Sequence, residues 1–183
     1  MGGVNEVAIT DGSTLNVAVD NALTLAPNNL EIDKGNLIIN GTGFNPTGAA
    51  VKLLTLKDGN LTLNKPLGEK FKVKMTSGDL TVAGDGDIGN AGNGEVELEA
   101  KGRLLLGKDL KLKTLTTADG SQIDTGGKTL TVKPAAGLIL NAAVTGALSL
   151  DISNNQKATL NNPLARLPQR HRLVLSWVSL VLT

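Results

Sequence analysis

The sequence has no cysteine and no tyrosine, a single histidine, a single tryptophan and only 2% aromatic residues. Without cysteine there are no disulfide frameworks, no thiolate zinc sites and no cysteine nucleophiles, and the redox compartment stays open. With one imidazole, His171, and no Gly-x-Ser-x-Gly elbow, a Ser-His-Asp hydrolase has little to build from. A net charge of +1 with 19% charged residues argues against a charge-driven disordered tail and against an overall nucleic-acid binder. Met1-Gly2-Gly3-Val4-Asn5-Glu6 lacks the basic region and apolar core of an export signal, and Glu6 stands where a myristoylation motif needs Ser or Thr. The longest apolar stretch, Leu173 to Thr183, has eleven residues broken by Ser176 and Ser179. A spanning helix needs about 20, so no membrane span is expected.

What the sequence does have is a repeated pair of apolar residues separated by one polar residue. Leu23-Thr24-Leu25, Leu30-Glu31-Ile32, Leu54-Thr55-Leu56, Leu61-Thr62-Leu63, Leu80-Thr81-Val82, Val96-Glu97-Leu98, Leu110-Lys111-Leu112, Leu130-Thr131-Val132 and Leu148-Ser149-Leu150 all follow it. A period of two marks strands with one buried face. Leu138-Ile139-Leu140 is apolar throughout, and helical stripes are scarce. Between the pairs stand turn-forming steps such as Asp58-Gly59-Asn60, Ser77-Gly78-Asp79, Asp119-Gly120 and Gly126-Gly127. Strand plus corner takes seven or eight residues, as from Leu23 to Leu30 to Leu37 and from Leu130 to Leu138. That unit is too short for a sandwich, whose turn signals recur every ~8 to 12 residues. Three such units make a coil of about 22 residues, within the range of stacked repeats. The fold class is therefore all-β, a parallel β-helix (β-solenoid), over residues 4–162. The inward ladder predicted from the pattern is Leu61, Leu63, Leu80, Val82, Val96, Leu98, Leu110, Leu112, Leu130 and Val132. Phe44 and Phe71 are read as core fillers or corner plugs, because a narrow stacked core prefers aliphatic ladders.

Gly59-Asn60-Leu61-Thr62-Leu63, Ser77-Gly78-Asp79-Leu80-Thr81-Val82 and the run from Ile123 to Val132 resemble passenger segments of autotransporters and filamentous-haemagglutinin-type adhesins. The likeness spans about residues 20 to 160 and is one of composition and period, without a diagnostic motif. It implies a right-handed parallel β-helix displayed on a bacterial cell surface, serving as adhesin or stalk. Asn64-Lys65-Pro66-Leu67 and Val144 to Asp151 are similar to repeats of adenovirus-type fibre shafts, in which three chains wind into a β-spiral. The six prolines are spaced too irregularly for the regular corner that such a shaft needs.

No segment carries a recognisable chemistry. Gly84-Asp85-Gly86-Asp87-Ile88-Gly89 matches the letters of a dinucleotide fingerprint, but a turn continues where a helix must open, and two aspartates repel pyrophosphate. Extended to Glu95, the same loop is the best calcium candidate, yet only one partial glycine-aspartate repeat is present, so turn chemistry explains it. Gly127-Lys128-Thr129 lacks the first glycine of a phosphate-binding loop, with Gln122 in its place, and reads as a corner. Glu95, Glu97 and Glu99 alternate as a polysaccharide-processing site would require. Lys70, Lys72 and Lys74 on one side and Lys111 and Lys113 on the other make an ion-pair ladder the simpler account. Lys70 to Lys74 lacks the aromatic series of a nucleic-acid strand. The sequons Asn40-Gly41-Thr42 and Asn60-Leu61-Thr62 arise readily by chance in a chain rich in Asn and Thr.

After Pro163 the pattern breaks: Arg166, Arg170, Arg172, His171 and Trp177 cluster there, and no acid follows Asp151. Residues 163–183 are expected to be a cap, a segment leading to a barrel, or an unrelated tail. As a cap, a short strand with Leu173, Leu175 and Trp177 would cover the edge near Leu148 to Leu160. The expectation for function is a non-enzymatic extracellular surface protein fragment, an adhesin or structural stalk. Its partner would be an unknown host or cell-surface receptor, with self-association a further option, and no nucleic acid. The alternatives are a trimeric viral or phage fibre shaft and, more distantly, a β-helical polysaccharide-processing enzyme. No catalytic, cofactor-binding or metal-ligating residue is assigned.

Overall fold

The computed structural model describes residues 8–9, 14–17, 24–25, 29–41, 45–46, 52–68, 71–89, 92–151, 157–162, 174–175 and 179–182. Its strands are β1 (Ala8–Ile9), β2 (Thr14–Val17), β3 (Thr24–Leu25), β4 (Asn29–Asp33), β5 (Asn36–Ile39), β6 (Asn45–Pro46), β7 (Lys52–Lys57) and β8 (Asn60–Leu63). They continue as β9 (Phe71–Val82), β10 (Gly94–Leu106), β11 (Leu110–Thr117), β12 (Gln122–Val132), β13 (Leu138–Leu140), β14 (Ala143–Leu150), β15 (Lys157–Leu160), β16 (Val174–Leu175) and β17 (Ser179–Leu182). Every pairing between them is parallel, and each turn of the chain lays down three short runs on three faces, so the fold is a parallel β-solenoid.

On the first face Leu30 stacks on Leu54, Leu54 on Val73, Val73 on Val96 and Val96 on Leu115, giving successive turns of 24, 19, 23 and 19 residues. On the second face the column is Leu37, Leu61, Leu80, Leu104, Ile123 and Val144. The third carries Leu110, Leu130 and Leu148. The expected coil of about 22 residues is thus an average over long and short turns. A stacked ladder fixes only the inward residues of each rung, and the corners absorb the difference.

The ten residues expected inside are all buried, none more than 1% exposed. They join Ile32, Ile39, Leu56, Met75, Ile88 and further aliphatic side chains in one continuous core closed within a single chain. Phe71 lies in that core, whereas Phe44 falls outside the described residues. Burying an aliphatic side chain of this size stabilises by roughly 1.5–3 kcal/mol, which is why the period-two pattern decides the fold.

Not every corner interrupts its strand. β9 passes through Ser77-Gly78-Asp79 while still pairing with β10 on both sides, and the ladder only shifts register there. Gly78 makes the bend with φ of 92°, and a Cβ at that position would overlap the Gly59 carbonyl oxygen of the adjacent turn. Asp58 sits in the same corner with φ of 52°. Its amide donates to Ser77 Oγ at 2.7 Å, and that hydroxyl in turn donates to the Asp58 carboxylate.

At the C-terminal end β16 pairs in parallel with β14, and β17 with β15. These strands extend two faces in register with the turns beneath, as Leu150 to Leu175 and Leu160 to Leu182 show. Two short strands therefore lie where one covering strand was expected. Leu173 and Trp177 lie outside the described residues, as does His171.

Candidate interaction surface

The side chains that point outward define what the solenoid offers a partner. Strand alternation sends every second residue out, and the stacking lines those residues up in columns about 4.8 Å apart. One outward column of the first face reads Glu31, Thr55, Lys74, Glu97 and Thr116. Its charged part is an ion-pair belt. Glu97 accepts from Lys72 Nζ at 2.8 Å and Lys74 Nζ at 3.1 Å, and Lys74 also reaches Glu99 at 2.6 Å. Hydrogen bonding to Lys72 holds the Glu97 carboxyl below its usual range; partial burial opposes this, and Lys74 adds to it. Lys74 is raised, first by Glu99 and then by Glu97.

The expected ladder therefore stands at Lys72, Lys74 and Glu97, and is extended by Glu95 and Lys113 at 3.9 Å. Lys111 does not belong to it. The chain rounds a corner at Leu112, so Lys111 stands opposite Thr131 on the third face. Lys70 falls outside the described residues.

The loop from Gly84 to Gly89 is consumed by structure. Asp85 pairs with Lys65 at 2.6 Å, which lowers its pKa. The carboxylate of Asp87 accepts from the Ile88 amide at 2.8 Å, and its carbonyl accepts from Leu67 N at 2.9 Å, fastening the isolated bridge between Leu67 and Ile88. Among the described residues no three His, Cys, Asp or Glu side chains converge in a way that could hold a metal ion. Near Gly127-Lys128-Thr129, the Thr129 amide donates to Asp109 at 2.8 Å and the Gly126 amide to Asp124 at 2.9 Å, which makes the segment a fastened corner.

Two features escaped the sequence reading. The first is a set of asparagine ladders: Asn64 donates to Asn40 at 2.6 Å and Asn40 to Asn16 at 2.9 Å, while Asn60 donates to Asn36 at 2.9 Å. Both sequon asparagines, Asn40 and Asn60, are thus engaged through their side-chain amides. The signal was the recurrence of Asn at 16, 40 and 64 and at 36 and 60, one long turn apart.

The second is a groove of about 750 Å³ on the outer face of β11, β13 and β15. Thr114, Thr116, Ile139, Lys157 and Thr159 line it, and the segment from Pro134 to Gly137 adds Pro134, Ala136 and Gly137 to the lining. Ile139 stands in the groove 61% exposed, where the alternation calls for a polar residue. Its signal was Leu138-Ile139-Leu140, the apolar triplet that broke the rule.

No helix of the described residues is long and apolar enough to cross a membrane, which leaves strand-built spans unaddressed. The architecture and these outer faces place the chain in the class of parallel β-solenoid repeat proteins. Compared with known proteins, the chain matches no family, no curated protein and no solved structure.

Proposed function

We propose that the chain is part of a non-enzymatic extracellular surface protein of the autotransporter-passenger or filamentous-haemagglutinin kind, acting as an adhesin or a stalk. The observation that carries this reading is the division of labour along each strand. Inward positions form a continuous, mainly aliphatic core in which a few polar side chains such as Thr117, Ser121 and Thr125 are buried, while outward positions hold ordered rows of charge, amide and hydroxyl. Such a rod keeps its shape whatever its outer rows contain, which is what a displayed binding surface or a spacer requires. Core closure within one chain favours it over a fibre shaft, whose core needs three chains.

The test is saturable binding of the labelled chain to bacterial or host cells, with light scattering and small-angle scattering in parallel. Saturable binding by a rod-shaped monomer supports an adhesin, and a rod-shaped monomer that does not bind supports a stalk. An obligate trimer overturns both readings in favour of the shaft, and depolymerisation of an added polysaccharide overturns the non-enzymatic assignment.

A further inference from the structure

The ladder of the first face is interrupted once. Parallel pairing runs from β1 through β4, β7, β9 and β10 to β11, and again from β13 through β15 to β17, but among the described residues no pairing joins β11 to β13. On the other two faces the ladder passes the same level intact, because β12 pairs with β14 both at Ile123 and Val144 and at Leu130 and Leu148. Side-chain atoms take the place of the missing backbone bonds. Asn141 N donates to Thr117 Oγ1 at 2.7 Å and Asn141 Nδ2 to Thr117 O at 2.8 Å. The equivalent corners one turn before and one turn after use backbone alone, Ala118 N to Leu98 O at 2.8 Å and Asn161 N to Leu140 O at 2.9 Å. Thr117 itself stacks on Leu98 and brings a buried hydroxyl into a position that Leu140 and Leu160 fill with leucine on later turns. The groove lies along this seam, with Thr114, Leu115 and Thr116 on one side and Leu138 and Ile139 on the other.

Two facing strand edges select their own ligand. Residues 114–117 of β11 are paired with β10 on one side only, and β13 is paired with β15 on one side only, so each turns an unpaired backbone edge towards the seam. The group that matches both edges is another extended backbone, which alternates donors and acceptors at about 3.3 Å per residue as the edges do. Its side chains follow from the rungs on either side. Positions beside Leu115 and Leu138 point into the core and call for Leu, Val or Ile, while the position between Thr116 and Ile139 points out. Ile139, 61% exposed, gives that outward residue an apolar neighbour, which suits Thr or Val. A further rung adds about 4.8 Å, so the seam must part to admit it. Parting releases the Asn141 bonds and two longer ones beside them, Ala142 N to Thr117 Oγ1 at 3.3 Å and Asn162 Nδ2 to Asp119 Oδ1 at 3.5 Å. The intact ladders of the other two faces then serve as the hinge. We propose that the seam between β11 and β13 is a latched strand-acceptor site: Asn141 and Thr117 hold it shut, and an extended peptide of alternating apolar and polar residues enters in parallel as an additional rung.

The site depends on neither the adhesin nor the stalk reading, and its failure leaves both standing. Two measurements on the full chain test it. In amide hydrogen exchange the Asn141 amide, which crosses the seam, is protected at least about tenfold less than the Ala118 amide one turn before it and the Ala143 amide, which donates to Ser121 O at 3.0 Å beside the hinge. The second measurement is a titration followed by amide chemical shifts, with the peptide Thr-Leu-Thr-Val-Lys, a copy of residues 129–133, as the probe. It binds and shifts the amides of residues 114–117 and of β13, while a scrambled peptide and a copy N-methylated at Leu and Val bind at least about tenfold more weakly. Asn141→Ala removes the latch and tightens the probe about tenfold, because a larger fraction of the chain is open. Thr117→Val, close to it in shape, does the same should Asn141→Ala disturb the fold. Asn60→Ala, which breaks a distant asparagine rung, leaves binding as it was. The proposal is overturned if the three amides are equally protected, or if the probe binds neither the native chain nor the latch variants. It is equally overturned if N-methylation makes no difference, if the latch variants bind no tighter, or if a uronate oligosaccharide shifts the same amides as strongly as the peptide.

Discussion

Leu63 offers the sharpest test of the stacked core. It is fully buried, lies in register between Ile39 on the turn before and Val82 on the turn after, and its carbonyl accepts from Ala83 N at 2.8 Å. Leu63→Ala removes three buried carbons, about 2.4 kcal/mol at roughly 0.8 kcal/mol per methylene. A cavity contribution adds to this, because the ladder holds neighbouring rungs about 4.8 Å apart and the wall cannot close over the gap. The expected loss is about 3–4 kcal/mol, near the middle of the usual range of roughly 2–5 kcal/mol for such a truncation. The outward neighbour Thr62 is half-buried and supplies the control; Thr62→Ala should stay within about 0.5 kcal/mol.

Urea unfolding followed by circular dichroism reads the difference as a shift in midpoint at constant slope. Leu63→Asp carries the argument into pH. A carboxyl forced into the core has its folded pKa raised above an unfolded value of about 3.9, so the mutant's deficit is smallest below that pH and grows as pH rises towards neutrality. Equal midpoints for Leu63→Ala and Thr62→Ala, or a Leu63→Asp deficit independent of pH, would refute the inward assignment of this column.

Three further perturbations test other parts of the fold. Glu97→Gln should cost at most about 1 kcal/mol at neutral pH. The Glu97 pKa is depressed, so that contribution is present above the unfolded value of about 4.3 and lost as pH falls through the folded one; a mutant deficit identical at pH 7 and pH 3 would count against the belt. Gly78→Ala should lower the melting temperature far more than Gly127→Ala, because both have positive φ but only the Cβ at 78 meets the Gly59 carbonyl, whereas the one at 127 enters open space. Comparable melting shifts would remove the close approach as the reason for glycine at 78. Asn40→Ala breaks both rungs of its ladder and should cost about 0.5–1.5 kcal/mol by chemical denaturation, with no measurable change taken as evidence that the ladder is ornamental.

The core was legible from sequence because burial acts on single residues at a fixed period. Leu80-Thr81-Val82 states which side is inside whatever its neighbours do, and the same holds for Leu130-Thr131-Val132. Coil length was less legible, because no local rule ties the inward residue of one rung to the next. Leu54 stacks on Val73 after 19 residues and Val73 on Val96 after 23, and corner chemistry such as Gly84 to Gly89 absorbs the surplus. The ion-pair belt was legible as a charge pattern, yet Lys111 was assigned to the wrong face because period two does not show where a strand turns a corner. The groove was illegible as a site. It is assembled from Thr116, Ile139 and Thr159 on three strands; Ile139 alone broke the alternation, and only the stacking brings the three together.

The position of the groove follows from the same surplus. Leu112 leads directly into the part of β11 that lies on the first face, whereas its partner one turn later, Val132, is followed by Lys133 to Gly137 before β13 begins at Leu138. Pro134 of that segment is buried, while Lys133, Ala135 and Ala136 are exposed and make a rim beside the wall. The turn from Val73 to Val96, across which the Lys72, Glu97 and Lys74 belt runs, is also long, and its surplus lies in the loop from Gly84 to Gly89. Where a turn spends its surplus residues therefore decides what stands beside an outer face. Shortening Lys133–Gly137 to the length of the preceding corner should therefore flatten the groove while the buried columns, and with them the far-ultraviolet spectrum, persist. Collapse of the whole chain on that deletion would show instead that the rim, anchored by Lys133 to Leu112 and Asp151, is part of what holds the turns together.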